Sequence, residues 1–498
     1  MPFTLSKTRY CNAVQCPKML WLKQYKPEVF DDSVMNEVVL QTGNEVGDLA
    51  MGLFGDFTEV PYGNPSEMIH TTEELIRRKT PVICEASFSY DGLFCSVDIL
   101  KNLGRKQVEL YEVKSSTAIH DIYIDDVSYQ VYVLTQLGCQ VKRACLVHLN
   151  REYVRLEELN LKELFAIEDL TEIAAGNHHS VEENIESFRR YMRKRKEPEQ
   201  NLGAQCFSPY GCGFWPYCSK ALPKPNVFDL KRTQLNTKTK LYDQGLVSYE
   251  DLHASGALGK QAAMQVSYEL EDLPDRINRE SIRQYLQDIT YPLYYLDFES
   301  FQPAVPLYDY SSPYDQIPFQ YSLHYQKRRN GKLYHKEYLA YPYEDPRRGL
   351  AEQLCKDIPD DVCVLAYSMT FEKSRIKELA ELFPDLSRHL MCIHDNIKDL
   401  IVPFQQNWYY NKAMQGSYSI KYVLPALFPG DPELDYQNLE GVHNGREAAD
   451  TFKLMSSMDS KTLEESRQHL LKYCELDTYA MVKVLQKLYE AAEERDCP

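Results

Sequence analysis

Residues 83–116 read ICEASFSYDGLFCSVDILKNLGRKQVELYEVKSS. Alternating apolar and polar positions mark three strands, with a turn at Asp91-Gly92 and Leu103-Gly104-Arg105 leading into the third. Alternation in YEVKS puts Glu112 and Lys114 on one face of the third strand, where Asp98 on the neighbouring strand reaches the same spot. An isolated E-x-K is usually a same-face ion pair on a strand. Here an aspartate precedes it across a hairpin, and the helix DDVSYQVYVLTQLG, carrying Gln130, follows. Two carboxylates and a lysine suit Mg²⁺- or Mn²⁺-dependent phosphodiester hydrolysis, because carboxylates hold the hard cation and the ammonium offsets charge on the phosphate.

This series resembles the RecB-like PD-(D/E)XK nucleases, whose signature is Asp, then (D/E)-x-K, then Gln on the next helix. The resemblance implies that Asp98 and Glu112 hold metal, Lys114 is the catalytic lysine and Gln130 assists. The chain departs from the family pattern in two places. Leu134 stands where the family has Tyr, and Gly47 stands where it has a histidine ligand, with Glu45 nearby.

Further along, QCFSPYGCGFWPYC (205–218) spaces Cys206, Cys212 and Cys218 as C-x₅-C-x₅-C. Tetrahedral Cys₄ zinc sites usually bring ligands as close pairs, whereas a cubane iron–sulfur cluster accommodates wider spacing and one distant ligand. Cys16, in CPKMLWL, is the natural fourth, and Cys11 is a substitute. The layout resembles the iron–sulfur subgroup of the RecB-like nucleases, which includes the CRISPR-associated exonucleases and AddB-type helicase-nucleases. It implies a [4Fe-4S] cluster held by Cys16, Cys206, Cys212 and Cys218 that brackets the first domain. Zinc at the same cysteines is the alternative.

A second start comes at YYLDFES, where Asp297 and Glu299 point to one side of an apolar strand. SMTFEKSRIKELAELF places Glu372 where a strand enters a helix, and KYCELDTYAM puts Tyr473 and Asp477 four apart on one helix face. This order resembles the DEDD exonucleases of the RNase H-like fold, in the subclass with a tyrosine. The resemblance implies metal ligation by Asp297, Glu299, Glu372 and Asp477, with Tyr473 orienting the water. GSYSIKYVLPALFPG looks like the segment before that family's last motif. Ser368 replaces the family's Asn and Glu372 its Asp, so Asp395 or Asp399 is an alternative third carboxylate.

The chain has 498 residues, enough for two or three domains. The expected fold is α/β: a PD-(D/E)XK restriction-endonuclease-like domain over 1–220, a small helical linker module over 221–288 and an RNase H-like domain over 289–498. Within the linker, DQGLVSYEDL reads as helix, Gly turn, helix. A net charge of −17 argues against a surface that coats nucleic acid throughout, but leaves room for a local groove. Fourteen cysteines without a secretory signal, and no long apolar run, point to a cytoplasmic, reducing setting. The expected function is a metal-dependent nuclease acting on nucleic acid, DNA ahead of RNA, with single-stranded ends as plausible substrate. The competing reading is a nucleic-acid-binding scaffold with one or both sites inactive.

Overall fold

At the first hairpin Asp91 and Gly92 take φ of 46° and 77°. Two successive positive values give the turn whose twist matches that of paired strands. A computed structural model describes residues 4–34 and 37–493; the outermost residues of the first and last regions read from sequence lie outside it. The chain divides into two compact units, Met1–Leu222 with Ala304–Tyr314, and Pro223–Pro303 with Asp315–Pro498.

The first unit is a sheet of β1 (Leu5–Ser6), β2 (Thr58–Glu59), β3 (Val82–Tyr90), β4 (Leu93–Gly104), β5 (Gln107–Lys114), β6 (Gln140–Leu149) and β7 (Phe165–Asp169). Its order is β2-β3-β4-β5-β6-β7, with β1 running parallel beside the start of β4. β4 therefore changes partner along its length. Leu93 and Phe94 pair with β1, and Ile99 onward pairs with β5. Asp98 falls at that fork. A bulge near Asn102 moves the second turn one residue on from its expected place, to Arg105-Lys106, both at positive φ. The helix Asp121–Gln136 connects the parallel strands β5 and β6, and its run Asp126–Leu134 is wholly buried.

The second unit contains β8 (Arg276–Ile277), β9 (Leu293–Phe301), β10 (Ile317–Gln326), β11 (Leu333–Leu339), β12 (Cys363–Ala366), β13 (Ile397–Asp399) and β14 (Tyr409–Tyr410). The main sheet runs β11-β10-β9-β12-β13, antiparallel through the first three strands and parallel beyond. β9 is buried on both faces. Leu293 and Tyr295 pack in the cluster that includes the long helix Ser460–Glu493. Tyr294, Leu296 and Phe298 pack in another, with the helices Pro346–Asp357, Thr370–Leu382 and Ser387–Asn396. Asp297 and Glu299 share the face of Leu293 and Tyr295, toward the long helix.

The two units differ from the three expected regions in two respects. The helical stretch after residue 222 groups with the second unit. It keeps its own apolar cluster of Val227, Leu230, Leu241, Tyr249, Leu252, Ala262 and Val266. Its turn holds Gly245 at φ 79° before Ser248, which caps the helix Tyr249–Ser255 through a reciprocal pair with Asp251. The other respect is the proline- and tyrosine-rich insertion after β9: its residues 304–314 group with the first unit. There Arg155 N–H donates to the Ser311 carbonyl at 3.0 Å, and Ala304 enters an apolar cluster with Val147 and Leu149.

Leu296 is fully buried beside Leu323, Leu350 and Val364. Leu296→Ala is expected to cost the second unit about 2–5 kcal/mol, read as a lower denaturant midpoint in urea unfolding followed by circular dichroism.

Candidate functional site

The face of β9 toward the long helix carries a close group of acids. One oxygen each of Asp297, Glu299 and Asp477 lies within 4.8 Å of the others. Asp297 and Glu299 are brought together by strand alternation. Asp477 comes from the long helix, whose Cys474 sulfur sits 3.8 Å from the Asp297 carbonyl. Burial, then repulsion from neighbouring carboxylates, pushes Asp297 and Glu299 well above the usual carboxylate range. Burial pushes Asp477 up to about 7 and Glu372 up to about 8.

Glu372, 3% exposed in the first turn of its helix, lies outside the close trio. Its charge is nonetheless felt by Asp297 and Glu299. Its Oε2 and Asp477 Oδ2 are buried without hydrogen-bond partners, which suits acids arranged for a cation rather than for each other. The two alternatives for the third carboxylate are placed elsewhere. Asp399 accepts from the backbone N–H groups of Ser368, Met369 and Ile401, at 2.9, 3.2 and 3.1 Å, and so holds the loop where β12 enters its helix. Asp395 is exposed beside His394.

Tyr473 packs against Asp477 on the same helix face, and burial, then Asp477, raises its phenol far above its ordinary range. Tyr436, Lys421 and Gly445 also belong to this site and were not read from sequence. The Tyr436 hydroxyl donates to Asp477 Oδ1 at 2.6 Å. The exposed Lys421, first turn of the helix Ile420–Leu427, lowers both Glu299 and Asp477 by its charge. Gly445 opens the helix Gly445–Leu454 so close that a Cβ there would stand 3.4 Å from the Glu299 carboxylate. Tyr436 and Gly445 sit in turn-rich text with no periodicity to expose them. Lys421 carries a signal, since it lies within GSYSIKYVLPALFPG.

In the first unit Asp98, Glu112, Lys114 and Gln130 meet around the fork in β4. Glu112, 1% exposed, accepts from Lys114 Nζ at 2.7 Å and from Gln130 Nε2 at 2.7 Å. Asp98 accepts from the Val113 N–H at 2.6 Å. Lys7 and Asp126 are additions that the sequence reading lacked. Lys7 Nζ reaches both Glu112 oxygens at 2.9 and 3.0 Å and Asp98 at 3.5 Å. Asp126 accepts from Lys114 at 2.7 Å and from Gln130 at 3.0 Å. Burial pushes Asp98 up to about 7, while the two lysines hold Glu112 well below its usual range despite its burial. Lys7 follows β1 directly, so pairing of β1 with β4 carries it to the fork. Helix periodicity could have found Asp126, four residues before Gln130. Gly47 lies in the helix Glu37–Met51, whose Asp48 acts on Glu85 of β3.

Cys16, Cys206, Cys212 and Cys218 line one cavity with Met19, Leu22 and Phe214. Cys16 sits at the break between the helices Lys7–Gln15 and Pro17–Tyr25. Gln15 fastens this corner by donating to the carbonyls of Gln205 and Tyr210, both at 2.8 Å. A Cβ on Gly213 would fall 2.5 Å from the Phe30 ring, so the loop needs glycine there. Cys11, the alternative to Cys16, is not among the residues lining this cavity and packs against the cluster of Tyr10 and Tyr129, within reach of the charges of Asp126 and Lys114. Among the described residues, two groups bring three ligand atoms within 4.8 Å of one another: the acidic trio and His324 with His335 and Glu475.

Residues 294–419 match a family model described as Domain of unknown function (DUF2779). The match starts on β9, covers Asp297, Glu299 and Glu372, and stops short of Tyr473 and Asp477. An uncharacterised protein of Mycoplasma genitalium is 24% identical over 218 residues, covering 41% of this chain and 32% of that protein. Its Mycoplasma pneumoniae homologue is 26% identical over 206 residues, 38% of this chain and 31% of its own. An uncharacterised protein of Ureaplasma parvum is 26% identical over 226 residues, 41% and 32% of the two chains. The chain thus spans about a third of the length of these curated relatives. No solved structure matches.

Carboxylates held above their ordinary range keep protons in the folded chain that the unfolded chain releases near pH ~4. Stability of the metal-free second unit is therefore expected to fall as pH rises from that value through about 7 to 8. Calorimetry across this range checks it, and Asp477→Asn should flatten the slope.

Proposed function

We propose that the chain is a metal-dependent nuclease whose main catalytic centre is the acidic site of the second unit. The observation that carries this reading is the close trio of Asp297, Glu299 and Asp477, with Glu372 beside it. Four acids, Glu299 and Glu372 buried and Asp297 and Asp477 partly so, without enough neighbouring cations form a donor set for hard divalent ions. The sheet order and the placement of the acids on its first strand and last helix support an RNase H-like reading of this unit.

Mg²⁺ or Mn²⁺, when bound, supplies Lewis-acid activation of the phosphodiester and a nucleophile at neutral pH. Asp297, Glu299, Glu372 and Asp477 would hold the ions. The Tyr473 hydroxyl stays protonated beside Asp477, so it can donate to and orient an attacking water. Lys421, exposed at the rim, places a positive charge where a substrate phosphate approaches the acids. Tyr436 fixes the Asp477 carboxylate by donating to one oxygen and leaves the other for ligation.

The first unit supports a PD-(D/E)XK, RecB-like reading through Asp98, Glu112, Lys114 and Gln130. One observation favours the second reading, binding without cleavage, for this unit. Lys7 Nζ occupies the space between Asp98 and Glu112, so an ion there has to displace an ammonium held by both carboxylates. We assign this unit chiefly to holding nucleic acid, DNA ahead of RNA and single-stranded ends in particular. A cytoplasmic location belongs to the same reading.

The four cysteines lining one cavity support the reading of a [4Fe-4S] cluster. Zinc bonds of about 2.3 Å in a tetrahedral site would draw the four sulfurs to within about 4 Å of each other. A cubane core accepts more widely set sulfurs, and a ligand set of Cys206, Cys212 and Cys218 with the sequence-distant Cys16 agrees with that reading.

Labelled single- and double-stranded DNA and RNA, incubated with Mg²⁺ or Mn²⁺, test the main reading. Asp297→Asn and Asp477→Asn are each expected to lower cleavage about a hundredfold or more with folding intact, as loss of electrostatic stabilisation does elsewhere. Lys114→Ala should leave most cleavage in place. Binding without cleavage by the wild type would sink the catalytic reading and leave the scaffold. Separately, anaerobically purified protein should carry iron and acid-labile sulfide, lost in Cys206→Ser; a colourless protein loaded with zinc would overturn the cluster.

A further inference from the structure

A second cluster of ligating side chains lies in the second unit, away from the acids used above. His324 on β10 and His335 on β11 are direct cross-strand partners, their rings 4.5 Å apart between centroids. Glu475 reaches them from the long helix, with one oxygen 3.8 Å from His335 Nδ1. One ligand atom from each of the three lies within 4.8 Å of the others.

Four hydrogen bonds behind the rings set their tautomers. Thr478 Oγ1 donates its proton to the Glu475 carbonyl at 3.1 Å. Having one proton, it must accept from both Ser322 Oγ at 2.7 Å and His324 Nδ1 at 2.8 Å. Ser322, its own proton spent on Thr478, then accepts from His335 Nε2 at 2.9 Å. Each ring thus donates once, and lone pairs remain on His324 Nε2 and His335 Nδ1. Neutral imidazoles oriented by a bond from the second nitrogen are the form in which histidine ligates metal.

We propose that His324, His335 and Glu475 form a site for a divalent first-row transition metal, of which Zn²⁺ is the natural occupant. Two histidines and one carboxylate, with bonds of about 2.0–2.2 Å, put neighbouring ligand atoms about 3–4 Å apart, so the present spacing needs only slight closure. His324 is buried, whereas the His335 and Glu475 side chains are 23% and 49% exposed, so an ion has an entry path and room for a solvent ligand. The softer nitrogen donors separate this site from the all-oxygen acids near Asp297. An ion here ties the β10–β11 hairpin to the long helix, two residues before Asp477. Its role is structural, and it stands independently of the nuclease reading.

Zn²⁺ is titrated into chelator-stripped protein against a chromophoric competitor, and Co²⁺ is used for the visible spectrum. His335→Ala and Glu475→Gln are each expected to lose one tight equivalent and the corresponding Co²⁺ d–d band. Thr478→Val should weaken that equivalent about 10- to 100-fold, as loss of a ligand's supporting bond does. Asp297→Asn should keep it. Wild-type stoichiometry in both His335→Ala and Glu475→Gln would overturn the site, and so would loss of the same equivalent in Asp297→Asn. Glu475 is half exposed, so Glu475→Gln with unchanged circular dichroism keeps the test independent of folding.

Discussion

Carboxylates brought close together out of water repel one another, and the second unit is organised around that repulsion. At separations within 4.8 Å each pair of charges costs roughly 3 kcal/mol or more at an effective dielectric near 20. A fold accepts that cost only if other contacts hold the groups in place. The double-sided burial of β9 does so. Tyr294, Leu296 and Phe298 fix the strand from one side, and the long helix covers it from the other. Asp297 and Glu299 cannot swing away without unpacking a core strand. The same packing holds Asp297 and Glu299 beside Asp477.

The first unit meets the same problem with different means. Its Asp98, Glu112 and Asp126 are neutralised by Lys7 and Lys114, so its charges are largely satisfied by the chain itself. A buried ion pair of this kind is weak evidence for stability, since desolvation offsets much of the attraction. It does impose geometry. Lys7 fixes β1 against the fork in β4, and Lys114 fixes the helix that carries Asp126 and Gln130. One unit thus leaves an oxygen of Glu372 and one of Asp477 without a hydrogen-bond partner, and the other pairs its acids with lysines.

Where the sequence was legible, the information was local. Asp91-Gly92 announces a hairpin, and strand alternation then aligns Asp98, Glu112 and Lys114. Tyr473 and Asp477 share a face because they are four apart on a helix. The four cysteines could be grouped by chemistry, although Gln15 and Gly213, which shape their corner, carry no motif. Long-range pairing was the part that could not be read. Lys7 comes 105 residues before Glu112 and arrives only because β1 completes an edge of β4. Tyr436 acts through one hydrogen bond to Asp477 from a short turn-rich segment, and Asp399 gathers three backbone N–H groups from a three-residue strand end and the loop beside it. The helices after residue 222 have the polar, evenly mixed composition of a connector, and only tertiary packing assigns them to the second unit.

The insertion at 304–314 has a consequence for how the chain is made. The first unit is not complete when residue 222 leaves the ribosome, because a further 92 residues, to Tyr314, must be synthesised before its last segment is available. At ordinary rates that interval is roughly 5–20 s. During it Val147, Leu149 and their neighbours lack the cover of Ala304 and Val305, and β9 emerges without β10 to pair with. Final consolidation of the two units is thereby linked in time: the strand that carries Asp297 and the segment that seals the first unit are consecutive in the chain.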